Sequence, residues 1–189
     1  MKTKPIQDFI LSNERNLRIA AAVGEAWPEI RGQVVTDFFS RLDARLRKKL
    51  KGWESENEGQ EVFVAPYRGY YCWKAKWKDQ YGLALQCPDH GESMVFGVYR
   101  EKYDIGKRRL CQELFDAIKK IHPSAQQNSW WEARIAMRSP ASEWRRPDIL
   151  WRVHTDSDFL KEVAGQLLEV AAISEPLIDR LVRKESKGG

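Results

Sequence analysis

Long hydrophobic runs are missing from this sequence. Nowhere do about 18 consecutive apolar residues occur, so no transmembrane helix is expected. Residues 1–10 carry Lys2 and Lys4 but no apolar stretch of signal-peptide length, and no membrane partner is expected. Cysteine is scarce as well: Cys72, Cys87 and Cys111 are odd in number and show no CxxC spacing, which argues against a disulfide framework and against a thiolate metal site. A reducing, cytoplasmic setting fits these absences. The histidines His90, His122 and His154 lie in separate segments without the spacing of zinc ligands. Walker-type phosphate loops, GxGxxG, GxSxG and HExxH are all absent, so the common enzyme classes lose support. No catalytic residue, metal or cofactor is assigned from the sequence.

What is present is aromatic and mildly basic. The chain of 189 residues holds eight Trp, six Tyr and seven Phe, an inventory that serves either a packed core or a binding surface. With 42% apolar and 31% charged residues it reads as an ordered globular protein. The net charge of +5 favours anionic partners by long-range attraction. The length suits a single domain, 1–189, divided into a helical annex over 1–51 and a sheet-and-helix core over 62–184.

The expected class is α+β: a Trp-rich antiparallel meander packed against helices, with an N-terminal helical pair and a long C-terminal helix. Ile6, Phe9, Ile10, Leu17, Ala20 and Ala21 recur at helical spacing up to Gly24, and Pro28 opens a second helix carrying Val35, Phe38, Phe39, Leu42, Leu46 and Leu50. The Gly- and Glu-rich segment 52–61 reads as an exposed loop. Over 71–78 the period becomes two, with Tyr71, Trp73, Ala75 and Trp77 on one face and Cys72, Lys74, Lys76 and Lys78 on the other. Strands over 81–87 and 94–100 complete a meander. A helix follows over 106–121, then a strand over 130–137 and a Pro-containing loop over 138–148. A long helix from about Thr155 is expected to kink or restart at Pro176.

Three readings of function compete. In the first, the loop-borne Trp53 and Trp144, with Arg145, Arg146 and Trp151, anchor a protein partner, because Trp and Arg dominate interface hot spots. In the second, Arg41, Arg45 and Lys48 on the second helix, Lys74, Lys76 and Lys78 on the strand, and Arg108 and Arg109 contact phosphates of DNA or RNA, with Tyr67 and Tyr70 stacking on unpaired bases. Against it, a Lys row also protects a sheet edge and basic residues also complement a helix C-terminus. In the third, Glu132 with Asp104 or Asp116 holds magnesium as a divergent nuclease. Arg134, which stands where a Lys is needed, instead suggests a surface ion pair with Glu132. His154, Asp156 and Asp158 form the one metal-like cluster, read more simply as a helix cap.

The 73–77 segment, Tyr81-Gly82-Leu83-Ala84-Leu85, Val95-Phe96-Gly97-Val98, Trp130-Trp131 and the 147–151 segment follow an order that resembles the accessory region after the core of PD-(D/E)XK-nuclease-like proteins of prokaryotic mobile and defence elements. The resemblance implies a helix-and-sheet module of a nucleic-acid-processing or phage-defence system, without the nuclease motif. The leading expectation is therefore a non-catalytic protein-binding module, a regulator or inhibitor of such a complex.

Overall fold

A computed structural model of the chain describes residues 4–77, 80–100 and 111–185. Lys78, Asp104, Arg108 and Arg109 lie outside them. Among the described residues five α-helices and six strands run α1 (Lys4–Ile10), α2 (Glu14–Leu46), β1 (Trp53–Asn57), β2 (Arg68–Lys74), β3 (Tyr81–Cys87), β4 (Val95–Arg100), α3 (Gln112–Ile121), β5 (Gln126–Asn128), β6 (Trp131–Ala136), α4 (Pro147–Thr155) and α5 (Ser157–Glu185). The strands form one antiparallel sheet in the order β1-β2-β3-β4-β6-β5. The class is α+β, as the periodicities indicate. Among the described residues no helix is long and apolar enough to cross a membrane.

The N-terminal pair is divided differently from the expectation. The break falls at residues 11–13, where Asn13 Oδ1 accepts the N–H of Asn16 at 2.9 Å and caps α2. The helix then passes through Gly24 and Pro28. Proline at 28 removes the bond to the carbonyl of residue 24, and that turn is exposed, so water can satisfy the freed oxygen. The same holds at Pro176, whose counterpart Ala172 is exposed, so α5 also continues. Asp156 Oδ1 accepts from the N–H groups of Asp158 (2.8 Å) and Phe159 (3.0 Å), which makes Asp156 the cap of α5. The apolar segment before it is itself helical, α4, with Pro147 in its first turn.

Part of the expected 52–61 loop is strand β1. Its Glu54 and Glu56 are exposed at the sheet edge, where charge discourages pairing with other chains. The facing of β2 is the reverse of the expected one. Tyr70 and Cys72 point into the core, 2% and 3% exposed, while Tyr71 and Trp73 lie on the outer face. The strand stops at Lys74, and a single 3₁₀ turn at Ala75–Trp77 swings Trp77 inward. Alternation was therefore the wrong guide to the Trp residues: Trp77 is fully buried, Trp131 lies under the outer face, and Trp130 is 48% exposed.

The helices α2, α3, α4 and α5 enclose the main core against one face of the sheet. Its centre is Trp144, whose ring stands 5.2 Å from Phe38, 5.8 Å from Phe39 and 6.4 Å from Phe159, with Nε1–H donating to the Ala141 carbonyl at 2.9 Å. The outer face carries a second, smaller cluster of Ala84, Val95 and Trp131 flanked by Tyr71 and Tyr99.

Candidate binding pocket on the outer sheet face

A cavity of about 480 Å³ opens on the outer face, lined by Tyr67, Gln86, Tyr99, Trp130, Trp131 and Arg134, together with Pro88, Arg100 and Asn128. Its size lies within the roughly 300–1,000 Å³ of small-molecule sites. None of the described helices packs on this face.

Each wall has a local cause. In β4, Val98 pairs with Ala133 but Tyr99 with Trp131, so Glu132 is an extra residue; this bulge turns Trp131 to the outer face. Asn128 Oδ1 accepts from the N–H of Trp130 (2.9 Å) and of Trp131 (3.0 Å), fixing both indoles at the β5–β6 turn. The Trp130 carbonyl accepts from the N–H of Arg100 at 2.8 Å, which ties that turn to the end of β4. Tyr99 lies across Gly82 of the neighbouring strand: a Cβ there would sit 2.4 Å from the ring, so any larger residue would displace the ring from this position. Its ring meets that of Tyr71 edge-on, centroids 5.5 Å apart.

The opposite rim is Tyr67, a non-glycine residue at φ 60°. Three hydrogen bonds hold it there. Its N–H donates to the Cys87 carbonyl (2.7 Å), and its own carbonyl accepts from Tyr71 Oη (2.6 Å) and Gln86 Nε2 (3.0 Å). Such a backbone state costs on the order of 1–3 kcal/mol, and it leaves the Tyr67 ring 63% exposed beside the pocket. Burial pushes the Tyr71 hydroxyl well above its ordinary range, so it stays a neutral donor.

The pocket is cationic. Among the described residues two arginines and no carboxylate line it. Arg100 is already committed to the buried Glu132, with Nε 3.3 Å from Oε1. The Arg134 guanidinium, half-buried, has no acidic partner among the described residues. Glu132 is thus no surface partner of Arg134. Its carboxylate is fully buried and accepts from the N–H of Cys111 (2.8 Å) and from Gln127 Nε2 (3.3 Å). Burial raises its pKa, partly offset by Cys111, Arg100 and Gln127. Asp116 stands on the exposed side of α3, bonded to Gln112, and does not join Glu132. Among the described residues no three His, Cys, Asp or Glu side chains gather as metal ligands would. The thiols are not activated: burial pushes Cys72 up to about 12 and raises Cys87 and Cys111.

The residues singled out from the sequence are dispersed. Trp144 and Trp53 are interior, at 0% and 6% exposure, Trp53 standing edge-on to Trp77 at 4.8 Å, so neither presents an anchor to a partner. Arg145 pairs with Glu92, and Arg146 with Glu143 and Asp148; Trp151 is 65% exposed on α4. Lys74 and Lys76 do not project as a free row. Lys74 is held by Glu175 and Asp179 of α5, and Lys76 lies in the turn and reaches the same Asp179 at 2.8 Å. Arg41 donates to the Val153 carbonyl at the end of α4 (2.7 Å), a helix-capping contact. Arg45 and Lys48 remain exposed. Tyr70 is buried against Asp43, while Tyr67 alone of the two proposed stacking tyrosines reaches a cavity.

Tyr99, Trp131, Arg134, Gln86 and Asn128 were not foreseen as a group. The available signals were the glycines within strands at 82 and 97 and the asparagine two residues before Trp130. No family model, curated protein or solved structure matches the chain.

Proposed function

We propose that the protein is a non-catalytic binding module of a nucleic-acid-processing system, and that its outer-face pocket takes an unpaired nucleotide of single-stranded DNA or RNA. The observation that carries this reading is the lining: four aromatic rings, Tyr67, Tyr99, Trp130 and Trp131, around a guanidinium at Arg134 that no carboxylate among the described residues neutralises. Aromatic rings stack on bases of any sequence, each worth roughly 1–3 kcal/mol, and a guanidinium fork suits a phosphate. The Gln86 amide oxygen and the Asn128 amide nitrogen supply an acceptor and a donor for base edges, the other atom of each amide being bonded within the fold. The basic strand and helix contribute less than expected, since Lys74, Lys76 and Arg41 are occupied within the fold.

The test is a fluorescence-anisotropy titration with a labelled single-stranded oligonucleotide, against the duplex of the same sequence. Trp130→Ala and Arg134→Ala should each weaken single-strand binding about tenfold or more, the equivalent of 1.4 kcal/mol. Trp130 is half-exposed, so its removal leaves the fold standing. Unchanged affinity in both variants, or equal affinity for the duplex, rejects the reading. Protein binding remains a second reading because the N-terminal half of α2 exposes apolar side chains; binding to no oligonucleotide at low salt favours it.

A further inference from the structure

The outer-face pocket has two ends that both carry aromatic rings, and the register of the sheet fixes their separation. On β4, Val95 is level with Gln86, Gly97 with Arg134 and Tyr99 with Trp131. Tyr99 is four residues beyond Val95, so the two ends stand about 14 Å apart at 3.4 Å per residue, and Arg134 is level with the midpoint. Tyr99, Trp130 and Trp131 crowd one end beside the Asn128 amide. Tyr67 stands at the other, its carbonyl accepting from Gln86 Nε2 and its N–H donating to the Cys87 carbonyl. A base stacked on a ring lies about 3.5–4.0 Å from it, so a single base engages one end and leaves the other bare.

Charge gives the same count. Arg100 is paired with Glu132, both side chains buried, and Arg134 is the lining guanidinium without an acidic partner among the described residues. One guanidinium matches one phosphodiester, which carries a single negative charge, whereas a terminal phosphate carries about −1.5 to −2 at pH 7. The surplus would lie unpaired against aromatic walls, where an uncompensated charge is costly. We propose that the pocket takes two consecutive nucleotides within a single strand, one base stacked at each end and their shared phosphodiester on Arg134; this rests on the nucleotide reading of the same site. The two bases are splayed, since neighbours stacked on each other would be only about 3.4 Å apart and could not reach both ends. Each end then offers its base one amide atom, Gln86 Oε1 beside Tyr67 and Asn128 Nδ2 beside Trp130, because the other atom of each amide is bonded within the fold.

Short single strands of abasic deoxyribose carrying one, two adjacent or three adjacent thymines test this by fluorescence anisotropy at low salt. The second thymine should tighten binding roughly tenfold or more, and the third about twofold or less, the gain from a second register alone. An uncharged methylphosphonate in place of the phosphodiester between two thymines should weaken binding by the wild-type chain about tenfold and by Arg134→Ala almost not at all. Tyr67→Gly, in which glycine holds φ 60° without strain, should bind two thymines no better than one, with an unchanged circular dichroism spectrum. Equal gains from the second and third thymine, no gain from the second, or a methylphosphonate penalty that persists in Arg134→Ala overturns the two-nucleotide proposal, while binding of the single-thymine strand leaves the nucleotide reading standing. Failure of every strand to bind, an all-thymine strand included, rejects both.

Discussion

At the scale of single residues, the same amino acid plays opposite parts according to where the backbone sends it. Trp144 is enclosed by Phe38, Phe39 and Phe159, and Trp151, seven residues later, is 65% exposed. Trp144→Ala should therefore lower stability by about 3–5 kcal/mol in a denaturant titration, while Trp151→Ala should stay within about 0.5 kcal/mol. Nothing in the flanking polar sequence separates the two; only the packing of α2 and α5 around the 138–146 loop does. Charged residues show the same dependence on context. Asp43 is pushed up by partial burial, but hydrogen bonds from Ser55, Arg47 and Tyr70 outweigh this and hold its carboxyl below its ordinary 3.8. A lowered folded value means the stabilisation is present above pH 3.8 and lost as pH falls through the folded value. Asp43→Asn should accordingly destabilise the protein at neutral pH and flatten the acid limb of its stability profile, measured by thermal melts from pH 6 down to about 2.

Among the elements, the sheet and the last helix are joined by one polar clip. Asp179 of α5 accepts from Trp77 Nε1–H at 2.7 Å and pairs with Lys74 and Lys76. Asp179→Ala would leave the indole N–H of a fully buried Trp without its partner, a loss of roughly 1–3 kcal/mol that a shifted denaturation midpoint would report. Trp77→Phe in the same background should recover part of that loss, because it removes the orphaned donor along with the acceptor. This clip also explains why Lys74 and Lys76 do not form the free basic row that alternation suggests. Alternation correctly placed Lys74 away from Tyr71 and Trp73 in the strand, but the periodicity of β2 carries no information about an acidic turn of a helix a hundred residues later. In α2, the Gly24 and Pro28 signals were real, yet in an exposed arm their cost falls on carbonyls that water can reach, and the helix runs on.

For the whole molecule, the distribution of charge matters more than its total. The net charge is +5, but three of the residues considered for phosphate contact, Lys74, Lys76 and Arg41, are spent on Glu175, Asp179 and the end of α4. Binding through the aromatic pocket should then depend weakly on salt. For one or two phosphate contacts to a single strand, the slope of log K against log salt is about −0.7 to −1.4, whereas a broad basic surface contacting six or more phosphates gives about −4 or steeper. Anisotropy titrations at several salt concentrations distinguish the two, and a steep slope would move the interface to Arg45, Lys48 and their neighbours.

The sequence by itself determined the α+β class, the antiparallel β2–β3–β4 meander, the long C-terminal helix with Asp156 at its start, and the buried stripe of Val35, Phe38, Phe39, Leu42 and Leu46. These follow from local rules: periodicity, capping and short connections act over a few residues. The tertiary structure alone decided which face of β2 is buried, that Trp144 belongs to the core, that Lys74 and Lys76 are neutralised, and that Tyr67, Tyr99, Trp130, Trp131 and Arg134 share one pocket. The pocket's walls come from segments far apart in the chain, turned to one side by a bulge at Glu132, a left-handed Tyr67 and a glycine beneath Tyr99. Such placements depend on partners distant in sequence, which no local pattern encodes.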